Sequence, residues 1–140
     1  MAATENEAPV DARLRELFDE LLQAVIAEAP PQIGALLQEV PVTADDRPSR
    51  EQLRKVGVRR SEYLCGLYTG IPLIRRSVDL SGVLSDAVHL FREGIVRATI
   101  AKHGRLTEED LKEQIRITLW HELGHHVGLD EDDLEELGYR

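Results

Sequence analysis

The chain has 140 residues, 42% apolar and 31% charged with only 4% aromatic, which describes a single globular domain around a mainly aliphatic core. A formal net charge of −9 argues against nucleic acid, which selects basic surfaces, and against anionic membranes. No apolar run reaches the roughly 18 residues of a membrane span.

A single cysteine, Cys65, cannot close an internal disulfide or build a cysteine-based zinc site, and it suits a reducing compartment. The opening residues carry neither a basic n-region nor an apolar h-region, so a cytoplasmic location is expected. Residues 1–9, polar up to Pro9, are expected to be disordered.

From Val10 to Ala29 the spacing of Leu14, Leu17, Phe18, Leu21, Leu22, Val25 and Ile26 predicts an amphipathic helix, with Asp11 as N-cap and Pro30-Pro31 as the stop. Residues 32–38 suggest a short helix. Glu39 to Thr43 alternates weakly, and Pro41 would confine such a strand to an edge or a first position. Residues 44–50 read as a surface loop, and Glu51 to Arg60 as a solvated loop or short helix. Leu64 to Leu73 is apolar but broken by Gly66, Gly70 and Pro72, which predicts an ordered, turn-rich segment touching the core. Its glycines do not have phosphate-loop spacing.

Asp86 to Phe91 is the strongest strand candidate. A helix over Gly94–Lys102 would turn Ile95, Val96 and Ile100 inward and end at His103-Gly104. Thr107 followed by Glu108, Glu109 and Asp110 marks the start of a long helix running to about Val127, with Gly128 as its C′ residue. Asp130 or Glu131 would open a last short helix through Leu134 and Leu137, closed by Gly138.

The long helix carries the chemistry. Within it, His121-Glu122-Leu123-Gly124-His125 reads His-Glu-x-x-His. Four-residue spacing puts both imidazoles on one helical face at a separation that suits zinc, and Glu122 stands beside them where a general base belongs. Leu119, Leu123, Val127, Trp120 and Ile117 form an apolar back. From this composition the pattern arises by chance with a frequency of roughly 0.02 over the chain, and about 0.001 with Gly128 required as well. A catalytic zinc needs a third protein ligand and an open position. Gly128 lets the chain turn back after the helix. Glu131, six residues beyond His125, is the choice, with Asp130 and Asp132 as close rivals and Glu135 and Glu136 further off. His126 points about 100° away and reads as packed behind the ligands. His89 reads as structural or cleft-lining, and His103 as a helix-end residue. Tyr68 and Tyr139 are candidate phenols for an oxyanion, though a rim or core role suits each better, and Cys65 reads as a small buried apolar residue.

At these residues the sequence resembles the zincin metallopeptidases, and more closely the small bacterial zincin-like metallopeptidase family, described as minimal zincins. The resemblance covers roughly residues 36–140. It rests on His121 through Glu131, on Leu134-Glu135-Glu136-Leu137-Gly138-Tyr139, and on Gly66 through Leu73. It implies an α+β fold, a small mixed sheet packed on helices with the His-Glu-x-x-His helix at its centre and a cleft beneath an edge strand. It also implies Zn2+ on His121 and His125, Glu122 as catalytic acid/base, and an acidic third ligand that maps to Glu131. An extended peptide would pair with the edge strand, for which residues 86–91 are the candidate. The only methionine is Met1, so the Met-turn of metzincins is absent.

Two functions follow. One is a zinc-dependent peptidase acting on peptides or unfolded protein through a zinc-activated water, with Glu122 as general base. The other is a zinc-binding protein of the same fold that holds a peptide or protein partner without cutting it. A purely structural zinc site is a third. Glu122 favours the enzyme, because binding alone needs no base.

Overall fold

The computed structural model describes residues 10–57, 64–70 and 86–136. The expectations for residues 1–9, 58–60, 71–73 and 137–139 lie outside these, as do the side chains of Glu131, Leu134 and Glu135.

Helix α1 spans Ala12–Ala27, with the Asp11 carboxylate accepting from the Leu14 N–H at 2.9 Å. Phe18, Leu22 and Val25 are buried on its inner face, as the spacing predicts. Helix α2 follows over Pro31–Glu39, opened by proline in the first turn, where a missing N–H costs nothing. Strand β1 is Val42–Asp45. Helix α3, Arg50–Val56, starts with a reciprocal capping box between Ser49 and Gln52 and ends on Gly57 at φ 72°. Strand β2 is Gly66–Thr69, and strand β3 is Ala87–Phe91. Helix α4 covers Arg92–His103, helix α5 Glu108–His126 and helix α6 Glu131–Glu136.

The architecture is α+β, with a small mixed sheet of order β1-β3-β2 packed on helices. β1 runs parallel to β3, with Thr43 opposite His89, and β2 runs antiparallel to it, with Leu67 opposite His89. Two expectations are corrected here. The strand within residues 86–91, Ala87–Phe91, is the central one, so it is not the edge that a peptide would join; among the described residues the edges are β1 and β2. The turn-rich reading of residues 64–70 gives way to strand β2, whose Gly66 is there for close packing.

Val88 and Leu90 of β3 turn into the core with Val40, Ile95, Leu111, Ile115, Leu119 and Leu123. Helix α5 runs through this core, packed against α1, α4 and both β2 and β3. α4 differs from its expected face: Ile95 and Val96 are buried, but Ile100 is 41% exposed. The helix instead buries its charged start, Arg92 and Glu93. Arg92 reaches Asp19 of α1 and Asp46 after β1, at 2.9 and 3.0 Å. Glu93, 2% exposed, is held by Arg47 and Arg97. Arg15 bonds both oxygens of Asp46, and these guanidinium groups hold the Asp46 carboxyl below its usual range, the Arg15 hydrogen bond contributing most. No helix of the described residues is long and apolar enough to cross a membrane.

Candidate metal centre

The site is built on the last two turns of α5. The Thr107 hydroxyl accepts from the Asp110 N–H, and Glu108, Glu109 and Asp110 occupy the positive end of the helix dipole. At the far end the Leu129 N–H bonds the Gly124 carbonyl at 2.9 Å and the Gly128 N–H bonds that of His125 at 3.0 Å, with Gly128 at φ 91°. This is a Schellman ending, and only a glycine adopts its left-handed turn without strain.

His121 and His125 stand together on one face, their ring centroids 5.0 Å apart and the rings inclined at 81°. The Glu122 carboxylate lies 3.7 Å from His121 Nε2. One donor atom from each of the three falls within 4.8 Å of the others, close enough for a common cation. His121 and His125 are half-buried, while Glu122 is 8% exposed. His125 Nδ1 lies 3.1 Å from the Leu129 carbonyl oxygen. A carbonyl only accepts, so Nδ1 carries the proton and Nε2 keeps its lone pair. That is the tautomer a metal-binding imidazole needs, fixed by a backbone group.

β2 brings the opposite wall very close. A Cβ on Gly66 would sit 3.0 Å from Thr118 Cγ2, 3.1 Å from Glu122 Cγ and 3.2 Å from the His89 carbonyl oxygen. The result is a cleft of about 580 Å³ bordered by His121, Glu122 and His125 on one side and Gly66, Leu67 and Tyr68 on the other. It contains two imidazoles and a buried carboxylate, a set that suits a divalent cation.

The remaining sequence candidates are distributed as follows. His126 is 1% exposed and faces inward, as its 100° step predicts. Tyr68 borders the cleft, but its hydroxyl donates to Asp86 Oδ1 at 2.9 Å, which occupies the proton an oxyanion would need. Tyr139 lies outside the described residues. His89 links the sheet, with Thr43 Oγ1 3.0 Å from Nδ1 and Thr69 Oγ1 3.2 Å from Nε2. Burial pulls its pKa down, against a weaker upward pull from Asp45. His103 ends α4, 3.8 Å from Asp110. Burial, and secondarily the Glu122 carboxylate, push the Cys65 thiol up to about 11.

Beyond Gly128, Asp130 caps α6: its Oδ1 accepts from the Asp133 N–H at 2.9 Å, and its own N–H donates to Asp133 Oδ2 at 3.0 Å. The Asp133 N–H bond chiefly lowers the Asp130 pKa. Asp132 is exposed, and Glu131 is the first residue of α6. Sequence reasoning missed Asp86, whose carboxylate side chain is 8% exposed and lies 3.3 Å from His126 Nδ1. It reads as the polar start of a strand, and its only sequence signal is a glycine sixteen residues earlier. A Cβ on Gly70 would come within 2.1 Å of Asp86 Oδ1.

A family model described as zincin-like metallopeptidase matches residues 37–139. None of the curated proteins matches the chain.

Proposed function

The chain belongs to the zincin-like metallopeptidase family, and on that footing we propose that it is a zinc-dependent peptidase with His121, His125 and Glu131 as metal ligands and Glu122 as general base and acid. The observation that carries the reading is the buried Glu122 carboxylate, grouped with two imidazoles of one helical face and bordering the cleft. Zinc bound there would supply a Lewis acid that polarises a carbonyl and acidifies water.

The chain's own groups supply the rest. The Leu129 carbonyl holds His125 in the ligating tautomer. Glu122 accepts the proton of the attacking water on a carboxylate oxygen and returns it to the leaving amine. Its burial removes competing solvent and strengthens every charge interaction it makes. Gly128, at φ 91°, ends α5 in a left-handed turn, and α6 opens at Glu131 three residues later, which supports Glu131 as the third ligand. Asp130 is the poorer ligand, because one of its oxygens already caps α6. An extended peptide or unfolded segment would add to the free edge of β2, which lines the cleft and has no second strand partner among the described residues. Nucleic acid and membrane are not partners on this reading, given the net charge of −9. The single cysteine suits a reducing compartment such as the cytoplasm.

Metal analysis and a peptide-library cleavage assay on wild type and Glu122→Gln test this together. Both proteins should hold one zinc, and the variant should lose about 10²–10⁴-fold in turnover. Turnover that survives the substitution would refute Glu122 as the base. Zinc uptake and peptide capture with no cleavage by wild type would point to the binding protein instead.

A further inference from the structure

Behind the metal-site face lies a buried polar cluster that the proposed reaction does not use. The Asp86 carboxylate, ahead of β3, accepts from the Tyr68 hydroxyl at 2.9 Å and lies 3.3 Å from His126 Nδ1. Tyr68 O and His126 Nδ1 are 3.4 Å apart, and their rings meet edge to face at 5.7 Å. Proton accounting is consistent with one arrangement. Tyr68 has one hydroxyl proton and gives it to Asp86, so His126 Nδ1 must carry its own proton toward the two oxygens. The Asp86 and His126 side chains are 8% and 1% exposed. Gly70, at φ 132°, leaves the space that Asp86 fills, since any side chain there would collide with the carboxylate.

The position of this cluster is what matters. His126 is the last residue of α5 and His125 the one before it. The Schellman bonds occupy the Gly124 and His125 carbonyls, but they tie the final turn only to residues that directly follow it and not to the sheet. A metal ligand in that turn is therefore only as well placed as its anchors. The Leu129 carbonyl orients the His125 ring, but it belongs to the same turn and moves with it. Tyr68 belongs to β2, and Asp86 directly precedes Ala87, the first residue of β3.

We infer that Asp86, acting through His126 and Tyr68, is a positioning residue that clamps the last turn of α5 to β2 and so fixes His125 and the width of the cleft. This rests on the reading of His121 and His125 as metal ligands, but not on any peptidase activity.

The test is metal binding by the full chain. Zinc dissociation constants from competition with a chromophoric chelator, and visible absorption of the cobalt(II)-loaded protein, are compared for wild type, Asp86→Asn, Tyr68→Phe and Asp19→Asn. Asp86→Asn should weaken zinc binding about 10-fold or more, the range seen when supports of metal ligands are removed, and should alter the cobalt bands. Tyr68→Phe should move both readouts in the same direction by less, and it decides the question if Asp86→Asn does not fold. Asp19→Asn, which loosens Arg92 outside the cleft lining, should lower the melting midpoint with zinc affinity and cobalt bands unchanged. If the cluster variants melt earlier yet bind zinc and colour with cobalt like wild type, the cluster is mere packing and the inference is overturned. Wild-type zinc binding without peptide cleavage would overturn the proposed function and leave the clamp standing.

Discussion

Replacing Gly66 by alanine tests how closely β2 approaches the site. The added methyl carbon would meet Thr118 Cγ2, Glu122 Cγ and the His89 carbonyl oxygen at 3.0, 3.1 and 3.2 Å. Ordinary contacts of this kind begin near 3.5 Å, so each neighbour must retreat by a few tenths of an ångström. None can do so freely, because Thr118 and Glu122 are buried and the carbonyl belongs to the central strand. Overpacking of this kind costs about 2 kcal/mol, which for a chain of this size lowers the melting midpoint by about 7 °C. Function should suffer as well, since the contact is with the Glu122 side chain itself. A shift of about half an ångström in a catalytic group costs roughly 10-fold in turnover. Gly34→Ala is the control. Gly34 lies inside α2 with nothing within 4 Å of the new methyl, so that variant should match wild type or gain up to about 1 kcal/mol. Differential scanning calorimetry and peptide turnover on the two variants decide the matter. If Gly66→Ala melts and turns over like wild type, the close approach of β2 to Glu122 is wrong.

Other outcomes follow from the charged groups. Arg47→Ala leaves the buried Glu93, 2% exposed, to the longer Arg97 ion pair at 3.4 Å, and should destabilise by about 2 kcal/mol in urea unfolding. The Asp46 carboxyl titrates below its unfolded value of 3.8, so its contribution is present above that pH and lost as pH falls through the depressed folded value. Asp46→Asn should therefore be less stable than wild type at pH 7, with the gap in urea midpoints closing in strong acid. With its pKa raised from 9.0 to about 11, the Cys65 thiol holds roughly 100-fold less thiolate at pH 8 than an unperturbed one, so its alkylation by iodoacetamide should slow by about that factor until the chain is unfolded.

The helices were legible where local chemistry and periodicity agreed. Asp11 and Thr107 cap α1 and α5 as their side chains predict, and His121 and His125 converge because a helix repeats every 3.6 residues. The sheet was harder to read because its determinants are not local. Gly66 and Gly70 read as turn formers; in fact one accommodates α5 and the other Asp86, both contacts with distant segments. The resemblance made residues 86–91 the edge candidate, yet β3 is central and its His89 is flanked by threonines of both neighbouring strands. The helix expected over Gly94–Lys102 in fact starts at Arg92, and only partners in α1 and after β1 make burial of Arg92 and Glu93 tolerable. The core of the site was plain in five consecutive residues; the Asp86 cluster behind it was not, since Tyr68, Asp86 and His126 come from three separate parts of the chain.

The hydrogen bond from His125 to the Leu129 carbonyl has a consequence for how such a site tolerates sequence change. A carbonyl is common to all twenty amino acids, so the residue that steadies this imidazole can vary while the support persists. The constraint falls instead on Gly128, whose left-handed turn aims that carbonyl. Alanine scanning would pass over Leu129 as dispensable and register Gly128 as critical, though Gly128 itself contributes no polar atom to the imidazole. In this turn the specification of the site resides in a conformation, and the only letter that encodes it is the one with no side chain.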